Sequence, residues 1–94
     1  MFQVSLDQEG NIFLTGRFDA SQQQSAMETF NRVIKSAIVD CSKLEYISSA
    51  GIGVLIATEK RLSAGGHHLQ LKNLNAHITE IFRYAGLEAI FSIT

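Results

Sequence analysis

The stretch from Ile38 to Ile56, IVDCSKLEYISSAGIGVLI, constrains the fold most, because its apolar spacing changes midway. IVDCS is short and opens with two β-branched residues, so it reads as a buried strand over 38–42. The polar residues after it read as a turn. From Ala50 the spacing becomes helical: Ile52, Leu55, Ile56 and Leu62 share one stripe of a helix running to about Ala64. Ser48 and Ser49 stand where strand hands over to helix. A hydroxyl there can cap the free backbone N–H groups of the first turn. An added phosphate at the same place finds N–H donors and the positive end of a helix dipole. Position alone leaves both readings of the serine pair open.

The other elements follow from local pattern. Phe2, Val4 and Leu6 alternate with Gln3, Ser5 and Asp7, a half-buried strand ended by the turn formers Asp7 to Asn11. A second strand over 11–16 makes a hairpin with it. The next helix has apolar positions Ala26, Met27, Phe30, Val33 and Ile34, and either Asp19 with Gln22 or Ser21 with Gln24 fits a capping box. The helix after the serine pair stops at Gly65-Gly66. His68 to Lys72 is a strand with Leu69 and Leu71 inward. Asn75 then caps a helix with the stripe Ile78, Ile81, Phe82 and Ala85, closed by Gly86. Residues 90–93 form a final short strand.

The order ββαβαβαβ predicts an α/β fold with parallel, right-handed later crossovers. Doubly wound sheets have almost continuously apolar strands, whereas the first strand and 68–72 each carry a polar face. A mixed sheet with helices mainly on one face is therefore expected. No proline, repeat or linker divides the 94 residues, so they read as one small domain over 1–94.

Several function classes fall away. A net charge of −1 gives no basic footprint for nucleic acid. No apolar run approaches the ~20 residues of a membrane span, so no direct membrane insertion is expected. No signal peptide is visible, and a lone Cys41 forms no internal disulfide, which points to the cytoplasm and to a small core role for Cys41. His67, His68 and His77 lack the cysteine or acid that would complete a metal set. Ser48-Ser49-Ala50-Gly51 is not the G-x-S-x-G elbow of a hydrolase, and Gly51 with Gly53 matches no phosphate-loop pattern. The two glycines instead permit close approach to the strand or to a docking protein. Val54, Ala57 and Thr58 fall beside the main stripe, either as a minor packing edge or as a weakly apolar docking patch. No catalytic residue, cofactor or metal is expected.

Asp40, Ser42, Leu44, Ile47, Ser48, Ser49, Gly51 and Ile52 fit D-x-S-x-L-x-x-I-[DS]-S-x-G-[IL], a pattern that resembles the signature of the STAS domain. Gly16, Phe18 and Asp19 before the first helix, and Ala85 to Phe91 near the end, are also placed as in that family's anti-sigma factor antagonists. The resemblance covers essentially the whole chain and implies an antagonist that is not an enzyme. Its implied partners are an anti-sigma factor that is also a serine kinase of the histidine-kinase-like ATPase type, and a serine phosphatase. It implies Ser49 as phosphoacceptor, supported by Asp19, Ser48, Ala50 and Gly51, where the family commonly has aspartate at the Ser48 position. Gly53, Val54 and Ala57 are the expected partner-binding residues. The family also includes stressosome scaffolds and transporter tails, so a constitutive docking subunit without phospho-switching is the alternative.

Overall fold

A computed structural model describes residues 2–94. The elements are β1 (Phe2–Leu6), β2 (Ile12–Phe18), α1 (Gln23–Phe30), β3 (Ala37–Ile47), α2 (Ser49–Ser63), β4 (Leu69–Lys72), α3 (Ala76–Tyr84) and β5 (Ser92–Ile93). Short 3-10 turns at Ala20–Gln22 and Leu87–Ala89 join α1 and β5 to what precedes them. The strands lie side by side in sequence order. The β1–β2 pair is antiparallel and the other three pairs are parallel, the expected mixed sheet.

The hairpin forms where the turn formers predicted it, with Asp7 Oδ1 accepting from the backbone N–H groups of Glu9 and Asn11 at 2.9 Å each. Along β2, Ile12, Leu14 and Phe18 are buried while Phe13 and Arg17 are exposed. The same division separates Val39 and Cys41 from Ile38 and Asp40 in β3, and Leu69 and Leu71 from Gln70 and Lys72 in β4. One sheet face is thus partly wet. The other carries a single core into which the helices send Ala26, Phe30, Val54, Leu55, Leu62, Ile78 and Phe82.

Three expectations need correction. The first strand of the central stretch does not end at Ser42; β3 continues to Ile47. Two irregularities hid this. Phe13 and Thr15 face Asp40 and Lys43, and Gly16 and Arg17 face Leu44 and Tyr46, so β3 twice carries one more residue than β2. Each bulge breaks the period of two.

The second correction concerns α1, which stops at Phe30. Arg61 donates to the carbonyls of Phe30 and Val33 at 2.9 and 2.8 Å, satisfying the end of the helix. Val33 is still buried, but from a loop, and Ile34 is 79% exposed. No side chain caps α1; Asp19 caps the 3-10 turn before it.

The third is the face of α2, where the inward residues are Gly51, Val54, Leu55, Thr58, Glu59 and Leu62. Ile52 and Ile56 are half-buried at its margin. The stops behave as expected. Gly66 adopts φ 81°, and His67 N–H returns to the Leu62 carbonyl at 3.0 Å, closing α2. Asn75 Oδ1 accepts from Ile78 N–H at 2.8 Å and caps α3. Ala85 is exposed rather than part of the buried stripe, and the last strand shortens to Ser92–Ile93 because Ile90 and Phe91 turn their N–H groups back onto the Leu87 carbonyl at 3.0 Å each.

Candidate functional site

The structure separates the two serines by role. Ser48 is extended (φ −87°, ψ 169°) and is the N-cap of α2, its Oγ accepting from Gly51 N–H at 3.1 Å. Ser49 is the first helical residue and is exposed, and among the described residues no hydrogen bond engages its hydroxyl. With Gly51 N–H taken by Ser48 Oγ and Ile52 N–H by the Ser48 carbonyl at 2.9 Å, the N–H groups of Ser49 and Ala50 are those left at the helix start.

The cap is anchored to the sheet. Ser48 N–H donates to the Phe18 carbonyl at 2.9 Å, which brings the corner at Phe18 and Asp19 beside the serine pair. Asp19 is half-buried, and its Oδ1 accepts from Ser21 N–H at 3.1 Å. Beneath the first turn, a Cβ built on Gly51 would lie 2.9 Å from Ile47 Cγ1 and 3.0 Å from Phe18 Cγ. Gly51 is the contact that seats α2 on the sheet. Gly53 has nothing within 4 Å of such a Cβ and points away from the protein.

Of the expected docking residues, Gly53 and Ala57 are exposed and Val54 is not. Val54 has 0% exposure and belongs to the core, and Thr58, also buried, bonds its Oγ1 to the Val54 carbonyl at 2.8 Å. The outward row is therefore Ser49, Gly53 and Ala57, at i, i+4 and i+8 on one helix face.

Two residues, one beside the site and one far from it, escaped sequence reasoning. Arg17 lies one residue before the Phe18 anchor, with its guanidinium 4.4 Å from the Tyr46 ring centroid on the wet sheet face. Lys43 is closer in sequence, but pairing of β2 with β3 brings Arg17 to this end of the sheet. Glu59 is buried at the other end of α2, where its carboxylate accepts from Leu69 N–H at 2.8 Å and meets His68 Nδ1 at 2.8 Å. A charged residue beside Thr58 and Lys60 reads as surface, and nothing local in the sequence marks this staple.

The remaining reactive groups stand apart from the serines. His67 Nδ1 is 3.5 Å from Ser36 Oγ, His68 is held by Glu59, and His77 is exposed in the first turn of α3. Burial, with a smaller contribution from the Asp40 charge, pushes the Cys41 thiol up to about 12. It is a core side chain rather than a nucleophile. Among the described residues no helix is long and apolar enough to cross a membrane.

Comparison with known proteins agrees with this architecture. BtrV of Bordetella bronchiseptica, described as an anti-sigma factor antagonist, is 34% identical over 59 residues, which is 63% of this chain and 51% of BtrV. The match thus spans about half the length of that relative. A protein of Thermotoga maritima, also described as an anti-sigma factor antagonist, superposes with TM-score 0.81 at 18% identity, covering 99% of this chain and 85% of the other. The Bacillus cell fate determinant SpoIIAA in its phosphorylated form superposes with TM-score 0.72 at 16% identity, covering 100% and 91%. At those identities the two structures speak to the fold alone. Residues 1–93 match the family model described as Mlab, STAS domain, and the chain belongs to the STAS domain family.

Proposed function

We propose that this chain is a cytoplasmic anti-sigma factor antagonist, a binding module without catalysis of its own, whose docking is switched by phosphorylation of Ser49. The observation that carries the reading is the division between the serines: Ser48 does the capping, and Ser49 stays exposed with a free hydroxyl. Capping therefore does not account for Ser49. Gly53 adds support. An interior helix glycine costs roughly 1 kcal/mol relative to alanine, and its outward side needs no space within the protein. A partner lying close along α2 accounts for it.

Phosphate on Ser49 adds about −1.5 to −2 charges and three acceptor oxygens. The N–H groups of Ser49 and Ala50 and the helix dipole receive part of that charge. Arg17 is held over Tyr46, and Asp19 contributes a negative charge at the neighbouring corner. The modification thus opposes docking by repulsion and desolvation. The expected partner is an anti-sigma factor that is itself a serine kinase of ATPase type, with a serine phosphatase restoring the binding form.

The test uses each candidate ATPase-type anti-sigma factor from the same genome. With ATP, the cognate one should add one phosphate, found on Ser49 by mass spectrometry. Ser49→Ala should block modification and keep binding, and Ser49→Asp should bind more weakly. Phosphate on Ser48, or full binding by Ser49→Asp, would reject the switch. The second reading, a constitutive docking subunit, draws on the same exposed row of Ser49, Gly53 and Ala57, which can dock a partner without modification. Full binding by both Ser49 variants would support it.

A further inference from the structure

We propose that β1 forms a two-fold interface with β1 of a second copy of this chain, joining two sheets edge to edge. β1 is an outer strand whose neighbour in the sheet is β2. The hairpin decides which of its backbone groups remain free. Asp7 N–H donates to the Asn11 carbonyl at 2.9 Å, so these two residues face each other as a bonded position. Bonded and non-bonded positions alternate along an antiparallel ladder. By the register, Ser5 with Phe13 and Gln3 with Thr15 are then bonded, while Phe2, Val4 and Leu6 turn their N–H and C=O groups outward.

Those three outward residues are spaced to pair with themselves. An antiparallel match centred on Val4 sets Val4 against Val4 of the second copy and Phe2 against its Leu6, each pair exchanging both backbone hydrogen bonds. The side chains agree with that register. Phe2, Val4 and Leu6 are half-buried against the core, and Gln3 and Ser5 are exposed on the opposite face. A two-fold axis perpendicular to the sheet keeps the faces aligned, so half-covered apolar groups meet apolar groups and Gln3 meets Ser5.

The strand lacks the usual defences of an outer edge. FQVSL has no charge and no proline, and its register with β2 runs without a bulge. Two copies therefore meet with no like charges opposed, since Asp7 falls beyond the paired segment. The other outer strand, β5, has two residues and offers little to pair with. Neutrality and a register that closes on itself select a second copy as the occupant.

Sedimentation of the full chain tests this. A reversible, concentration-dependent dimer is expected, and a monomer at every soluble concentration would overturn the proposal. In the two-fold register, Gln3→Lys with Ser5→Lys opposes like charges on an exposed face. That variant, and separately Gln3→Glu with Ser5→Glu, should weaken the dimer roughly tenfold. Mixing the two should restore it as a heterodimer. Undiminished dimers in both variants, or no restoration on mixing, would overturn it. Val4→Cys supplies an independent readout. Directly opposed positions in a bonded pair lie about 5.5 Å apart between Cα atoms, within disulfide range. Mild oxidation should give a covalent dimer through Val4→Cys and none through the wild-type chain with its buried Cys41. Failure of Val4→Cys to cross-link would also overturn it.

Discussion

Gly51 and Gly53 stand two residues apart on α2, and one added methyl group should move stability in opposite directions at the two positions. Replacing glycine by alanine inside a helix gains roughly 1 kcal/mol, mainly from the backbone freedom of the unfolded chain. At Gly53 nothing lies within 4 Å of the new Cβ, so Gly53→Ala keeps the whole gain. In a chain of 94 residues that should raise Tm by about 4–8 °C. At Gly51 the new Cβ would lie 2.9 Å from Ile47 Cγ1 and 3.0 and 3.1 Å from Phe18 Cγ and Cδ1. Both neighbours are buried, and such overpacking costs ~1–3 kcal/mol. The net change for Gly51→Ala lies between zero and a loss of about 2 kcal/mol. Urea titrations followed by circular dichroism give the comparison directly, provided the slope m stays constant. Loss of stability in Gly53→Ala, or a gain in Gly51→Ala, would refute the assignment of inner and outer faces to α2. If a partner packs along that outer face, Gly53→Ala should also weaken its binding by roughly fivefold to thirtyfold, from ~1–2 kcal/mol of crowding. A variant more stable and less able to bind separates a docking role from a folding one.

Phe82→Ala should destabilise the fold by roughly 3–5 kcal/mol, because Phe82 is fully buried with its ring 6.1 Å from that of Phe91. A loss below about 1 kcal/mol in denaturant titration would show that α3 does not bury its stripe as described. Asp40 gives a pH signature. A hydrogen bond from Ser42 N–H, helped by the Ser42 and Asn73 side chains and the Lys72 charge, holds its carboxyl below the ordinary value of 3.8. A lowered folded pKa contributes stability above the unfolded value, and the contribution fades as pH falls through the folded value. Asp40→Asn should therefore lower the urea midpoint near pH 7, and the gap should narrow as pH falls below the ordinary value of 3.8. A gap that stays constant across that range would rule out the carboxylate as its source.

Much of the fold was legible because alternation and helical spacing are read locally. β1, the hairpin turn, the Asn75 cap and the Gly86 stop each depend on a few adjacent residues. What was missed depends on partners distant in sequence. The second half of β3 looked like a turn because two bulges, defined only against β2, shift its side chains out of alternation. α1 looked longer because its end is fixed by Arg61, 28 and 31 residues from the carbonyls it binds. α2 was read in the wrong rotational phase because apolar residues surround it. Ile52, Val54, Leu55 and Ile56 make two stripes plausible, and the choice rests on Gly51 against Phe18 and Glu59 against Leu69 N–H. Within the candidate site, the sequence placed both serines at the handover but could not divide their roles. That division follows from the extended conformation of Ser48, which turns its hydroxyl back onto Gly51 N–H.

The phase of α2 also bears on how far the proposed phosphate can act. Ser49, Gly53 and Ala57 lie on one outward row, so at 1.5 Å of rise per residue Gly53 stands about 6 Å and Ala57 about 12 Å from the acceptor along the axis. The Debye length at physiological ionic strength is about 8 Å. A partner group seated over Gly53 is inside that distance, where docking also strips away the water that would screen it. A group over Ala57 lies beyond it. Repulsion therefore falls on the first two turns of α2, the part of the row that Gly53 leaves open to close approach. The second half of the row adds contact area that the charge barely reaches. A modification at Ser49 can then weaken docking without abolishing encounter, and raising the ionic strength should narrow the affinity gap between Ser49→Ala and Ser49→Asp. A gap that persists at high salt would assign the effect to steric crowding or to the cost of desolvating the carboxylate rather than to repulsion between charges.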